Sequence, residues 1–127
     1  MKVLIDTNVL ISTVYNPLSV PARVVRHVFQ NHTLFLTTYI IEECYEVINR
    51  KFPQHVETMK KLLSEIDYLI ATPNPDKDVM INAKDEPILN AAISADVDII
   101  VSGDTHFLSL DLDKPKILTP AQYLSLM

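Results

Sequence analysis

Four acidic residues stand where buried stretches of this sequence end or lean inward, and their types and spacing suggest one chemistry. Asp6 closes the apolar run Val3-Leu4-Ile5, and Asp104 follows Ile99-Ile100-Val101 after Ser102-Gly103. On a helical wheel of residues 40–50 the apolar stripe is Ile40, Ile41, Cys44, Val47 and Ile48. Glu43 sits at its border, whereas Glu42 and Glu46 fall in the polar arc. Asp85 precedes Ile88, Leu89 and Ala92 at helical spacing, above the buried face of a helix starting there, and Glu86 points to the next sector. Converging carboxylates without counter-charge repel and raise one another's pKa. No Lys or Arg adjoins Asp6, Glu43 or Asp104; only Lys84 adjoins Asp85. A hard divalent ion resolves the repulsion, and an all-oxygen donor set suits Mg²⁺ or Mn²⁺ rather than Zn²⁺. Such an ion lowers the pKa of a bound water and stabilises charge on a phosphoryl oxygen, as phosphodiester hydrolysis requires.

Strands and helices must bring these acids together. An unbroken apolar run reads as a strand covered on both faces, and Val3–Ile5 is the expected central strand. Ligands in open parallel sheets lie beyond the carboxyl ends of strands, which is where Asp6 and Asp104 fall. Asp6 or Thr7 caps a short helix through Val14, and Pro21 opens a second helix. Leu34–Leu36 is a second strand, and Thr37 or Thr38 caps a helix to about Arg50 that stops before Pro53. Val56, Met59, Leu62, Leu63 and Ile66 mark another helix, and Tyr68–Ala71 a third strand. A turn-rich stretch over 73–78 leads to Asp85, and a helix runs from Glu86 to about Ala95. Ile99–Val101 is the next strand; a short strand at Ile117-Leu118 and a helix after Pro120 close the chain. Alternating apolar strands and helices predict an α/β protein, a three-layer α/β/α sandwich with a central parallel sheet. Gly103, the sole glycine, suggests a turn with positive φ or close backbone approach.

With 127 residues the chain fits a single domain spanning 1–127. At 48% hydrophobic and 21% charged residues it reads as globular and not disordered. The lone Cys44 excludes an internal disulfide, and no leader pattern or membrane-length apolar run is visible, so a cytoplasmic location is expected. A net charge of −5 argues mildly against wrapping nucleic acid by bulk positive charge. A bound cation would reverse the local sign and let a phosphate dock in an acidic site.

The ordered motifs Val-Leu-Ile-Asp-Thr-Asn (3 to 8), Ile-Ile-Glu-Glu-Cys-Tyr-Glu-Val (40 to 47), Lys-Asp-Glu-Pro-Ile-Leu (84 to 89) and Ile-Val-Ser-Gly-Asp-Thr-His-Phe (100 to 107) resemble the PIN domain family. The nearest likeness is to the stand-alone bacterial and archaeal PIN proteins of toxin–antitoxin pairs, related to VapC. The resemblance covers essentially the whole chain. It implies a parallel sheet of order 3-2-1-4-5 and a Mg²⁺- or Mn²⁺-dependent endoribonuclease, the toxin of a type II pair, in which water attacks an RNA phosphodiester and leaves a 5′-phosphate. By motif match, Asp6, Glu43, Asp85 and Asp104 become the acidic quartet, catalytic and metal-binding, supported by Thr7, Asn8 and Ser102, with Glu86 as a helper to Asp85. It also implies a homodimer and an antitoxin lying over the acidic groove.

Plainer readings stand beside each of these. Asp6 and Asp85 are ordinary helix caps, Glu43 alone is a solvated helix residue, Asp104 fits a turn, and Thr7 and Ser102 can satisfy backbone groups. His27, His32, His55 and His106 show no metal-ligand spacing and read as surface residues, with His106 within reach of a substrate phosphate. Cys44, Tyr39 and Tyr45 read as packing residues. Arg50-Lys51 and Lys60-Lys61 read as solvated faces or an RNA track. Two other functions fit the chain: a non-catalytic partner-binding protein that kept the fold, and an aspartyl-phosphate phosphotransfer domain, to which Lys114-Pro115 gives a superficial likeness.

Overall fold

A computed structural model describes residues 1–74, 86–110 and 112–127, the side chains of Glu86 and His106 excepted. The apolar run near the start forms β1 (Lys2–Ile5), in which Val3, Leu4 and Ile5 are fully buried. It pairs on one side with β2 (Thr33–Leu36) and on the other with β4 (Ile99–Val101). The outer strands are β3 (Leu69–Ile70) beside β2 and β5 (Lys116–Leu118) beside β4. Every pairing is parallel, giving the order β3-β2-β1-β4-β5. Helices flank this sheet as the three-layer expectation required. The third strand is shorter than the span 68–71 anticipates. It is an edge strand with both residues exposed, so it lacks the two covered faces that make an apolar run legible.

Four of the helices begin at a residue whose side chain accepts a free backbone N–H of the first turn. Asp6 caps α1 (Thr7–Tyr15), and Ser19 caps α2 (Val20–Asn31), with a proline in the first turn. Thr37 caps α3 (Thr38–Lys51), which ends with Arg50 and Lys51 facing the negative end of its dipole. Phe52 leads into a 3-10 turn over Pro53–His55, followed by α4 (Val56–Glu65). Past the undescribed stretch comes α5 (Glu86–Ser94). A four-residue helix, α6 (Thr105–Leu108), follows β4 and was not anticipated; it is too short to show periodicity. The last helix, α7 (Pro120–Leu126), opens with a reciprocal Thr119–Gln122 capping box.

The one left-handed residue among those described is Asp96, with φ 58°, and not Gly103. Asp96 and Val97 donate to Ile93 and Ala92 carbonyls, a Schellman termination of α5 that satisfies two orphan carbonyls. Gly103 has no positive φ, and a Cβ there would meet the Asn8 amide at 3.6 Å, an ordinary contact. The expectation that backbone geometry demands glycine is therefore corrected. The turn-rich stretch falls from residue 75 onward outside the described residues. At its near end, the buried Asn90 side chain of α5 accepts from the Asn74 N–H at 2.7 Å and holds the chain there.

Candidate active site

Strand register explains why distant residues meet. Ile5 pairs with Val101 and the Asp6 N–H donates to the Val101 carbonyl at 3.0 Å, so Asp6 and Ser102 emerge side by side at the carboxyl edge. On the other flank Leu4 pairs with Phe35, which brings the start of α3 to the same edge. That helix carries Glu43. The result is a cleft of about 560 Å³ whose lining includes Asp6, Thr7, Asn8, Tyr39, Glu43 and Asp104.

Asp6 is 5% exposed. One carboxylate oxygen accepts the Thr7 N–H at 2.8 Å and the other accepts the Ser102 hydroxyl at 2.7 Å. Burial pushes its pKa up to about 6; the hydrogen bonds from Ser102 and Thr7 oppose that, and the charges of Glu43 and Asp104 add to it. Ser102, fully buried, also accepts the Asp104 N–H at 3.0 Å, so one hydroxyl ties two of the acids together. Asn8 accepts the Gly103 N–H at 3.2 Å and pins the turn between them. Asp6 thus caps α1, as the plainer reading had it, and also lines the cleft.

Glu43 is half-buried whereas Glu42 and Glu46 are exposed, in agreement with its place at the border of the stripe. The Tyr39 hydroxyl donates to it at 3.4 Å from one helical turn away. Tyr39, read as a packing residue, is 37% exposed and lines the cleft; its spacing of four from Glu43 on one helix was the available signal. Thr7 is also corrected: its hydroxyl is buried without a hydrogen-bond partner among the described residues, so it does not satisfy a backbone group. Arg50 and Lys51 line the same cleft, with the Arg50 Nε donating to Glu46 at 2.9 Å. Asp85 lies outside the described residues, as do the side chains of Glu86 and His106.

Of the histidines expected at the surface, His27, His32 and His55 are half-buried: His27 bonds the Tyr123 hydroxyl at 2.8 Å and packs on His32, and His55 packs against Phe52. Cys44 is core as expected: burial first, then the Glu43 and Asp6 charges, push its thiol up to about 12, leaving it an inert thiol. Lys114 bonds Asp96 and Asp98, which precedes β4. That is the amino edge of the sheet, opposite Asp6, so Lys114 does not serve the acidic site as a phosphotransfer domain would need.

The donor chemistry fits a hard divalent cation: the carboxylates of Asp6, Glu43 and Asp104 line one cleft with the unsatisfied buried hydroxyl of Thr7. Among the described residues, no three His, Cys, Asp or Glu side chains gather closely enough to hold an ion alone. Mg²⁺ commonly takes one or two carboxylates and completes its shell with water and substrate oxygens, so the arrangement accommodates it.

A parallel 3-2-1-4-5 sheet with acids after its two central strands defines a PIN-like α/β/α domain. The PIN domain model matches residues 2–106, and the chain belongs to that family. It is 29% identical over 117 residues to the uncharacterized protein MJ1680 of Methanocaldococcus jannaschii, covering 87% of this chain and 75% of that one. Its fold is similar to a chain in the crystal structure of VapBC2 from Rickettsia felis bound to a DNA fragment from their promoter, with a TM-score of 0.67 and 15% identity, covering 93% of this chain and 97% of that one. No described helix is long and apolar enough to cross a membrane.

Proposed function

We propose that this PIN domain is a Mg²⁺- or Mn²⁺-dependent endoribonuclease, acting as the toxin of a type II toxin–antitoxin pair. The observation that carries the reading is the buried Asp6 carboxyl, held by Thr7 and Ser102 in a cleft that Glu43 and Asp104 also line. Asp6, Glu43 and Asp104, with Asp85 as the fourth acid and Glu86 as its helper, would hold the cation. When bound, the ion supplies Lewis acidity and a more acidic water.

The residues of the chain orient the reaction. Ser102 and Thr7 fix the Asp6 carboxylate, Asn8 fixes the turn that presents Asp104, and Tyr39 steadies Glu43. A water oxygen forms the new bond to phosphorus with its proton taken by a cleft carboxylate. The bond from phosphorus to the ribose 3′ oxygen breaks, and that oxygen takes a proton from solvent water to leave as a hydroxyl, giving a 5′-phosphate product. The likeness to VapBC2 supports an antitoxin partner, and we extend the reading to a segment of that partner covering the cleft, to a homodimer and to a cytoplasmic setting.

The test is cleavage of a mixed-sequence single-stranded RNA by protein freed of any co-purifying partner, with Mg²⁺ or Mn²⁺ and with chelator. Cutting that needs metal and disappears in Asp6→Asn/Asp104→Asn supports the nuclease. Folded wild type that leaves every RNA intact would favour a partner-binding protein.

A further inference from the structure

Beside the acid cleft lies a second hollow of about 350 Å³ lined by Ile11, Ser12, Tyr15, Asn16, Ser19, Pro21 and Phe52. Ile11, Ser12 and Phe52 line both, so the two form one continuous surface running along α1 from Asp6. Three rings gather at its outer end. Tyr15 stands 5.3 Å from Phe52 and 6.3 Å from His55, and Phe52 stands 6.4 Å from His55, all between centroids. Interplanar angles of 50–72° make this a tilted cluster and not a parallel stack: Phe52 and His55 pack against Tyr15 while Tyr15 remains 62% exposed. An exposed tyrosine held by two rings has already lost much of the side-chain freedom that binding would otherwise cost. Lys51, exposed on the rim of the acid cleft and next to Phe52, makes no ion pair among the described residues and offers a cation to a phosphate.

We propose that Tyr15, braced by Phe52 and His55, is a stacking platform for an unpaired base of single-stranded RNA whose neighbouring phosphate enters the acid cleft. The inference rests on the nuclease reading and adds to it a base-binding subsite beside the acid cleft, which only an unstacked base can occupy, since a base held in a duplex has no free face to give. An aromatic face accepts any base, so the platform contributes affinity with little sequence preference. The nine residues from Asp6 to Tyr15 span about 13 Å of helix axis, so the stacked base belongs to a flanking nucleotide and not to the one being cut.

The experiment measures fluorescence anisotropy of a labelled mixed-sequence RNA in chelator, against an abasic ribose-phosphate oligomer of equal length. Tyr15→Leu is expected to weaken binding of the base-bearing RNA about 5- to 100-fold, leave the abasic oligomer unchanged, and be rescued by Tyr15→Phe. Exposure of Tyr15 makes Tyr15→Leu a fold-preserving change, and its melting curve checks this. Equal affinity of Tyr15→Leu and wild type for base-bearing RNA, in a wild type that cuts RNA, overturns the platform and spares the nuclease. Wild type that neither binds nor cuts RNA overturns both. Loss of a co-purifying protein from Tyr15→Leu with RNA affinity intact assigns the face to a protein partner and also overturns the platform.

Discussion

The Ser102 hydroxyl donates to the Asp6 carboxylate at 2.7 Å across 96 residues of sequence, and the same oxygen accepts the Asp104 N–H. Replacing Ser102 by alanine removes the strongest influence holding the Asp6 pKa down and strands a backbone donor. Ser102→Ala should lose about 1–3 kcal/mol of stability and move the Asp6 titration above its present value near 6. Denaturant unfolding and a carboxyl NMR titration read these out; an unmoved Asp6 titration would show that the hydroxyl does not hold the carboxylate.

Asp6→Asn separates the two roles of that residue. Asparagine caps helices as well as aspartate, and its carbonyl can keep the Thr7 N–H while its amide faces Ser102. A buried charge disappears, so stability above pH 6 should stay level or rise by up to about 3 kcal/mol, the worth of a shift of about two pKa units. Cleavage should vanish. Lost activity accompanied by a large drop in melting temperature would mean that Asp6 serves mainly as a structural cap.

The pH dependence of the metal-free protein follows from the same carboxyl. Folded protein keeps the Asp6 proton up to about pH 6, whereas the unfolded chain releases it near 3.8. The folded state therefore binds more protons in that window, and the contribution of Asp6 to stability falls as pH rises through it, then stays flat. His32 acts oppositely. Burial, with the Met1 ammonium and His27 nearby, lowers its pKa, so its contribution is lost as pH falls below the ordinary histidine range. Subtracting the Asp6→Asn stability curve from the wild-type curve in chelator isolates Asp6, and a flat difference between pH 4 and 6 would refute the assignment.

Thr37 caps the helix that carries both Tyr39 and Glu43. It is 2% exposed and accepts the Ile40 N–H at 2.9 Å. Thr37→Ala should cost about 1–2 kcal/mol and speed amide exchange in the first turn of α3. Unchanged exchange there would place the restraint elsewhere.

Much of this arrangement was legible because it is local or periodic. The run Val3–Ile5 shows a buried strand by itself, and Asp6 and Thr37 announce helix starts through chemistry confined to a few residues. Glu43 was separable from Glu42 and Glu46 by helical period alone. Tyr39 was misread, and the backbone-satisfying alternative for the Thr7 hydroxyl failed, because the same side chains pack or cap in most settings and only their neighbours show otherwise. The platform at Tyr15 left no trace at all: Tyr15 and Phe52 end different helices, and the separation says nothing of a 5.3 Å approach.

What the sequence alone determined, then, is most of the elements, the acids placed on them and the oxygen-rich chemistry they imply, since propensity, capping and burial period act over short distances. Tertiary structure decided which ends share an edge. Parallel pairing of β1 with β4 in the register Ile5 to Val101 sets Ser102 beside Asp6, and pairing of β1 with β2 swings α3 over them. A shift of that register would leave every helix and strand intact and dissolve the site, because hydrogen bonds between strands, and not local preference, fix where distant side chains meet.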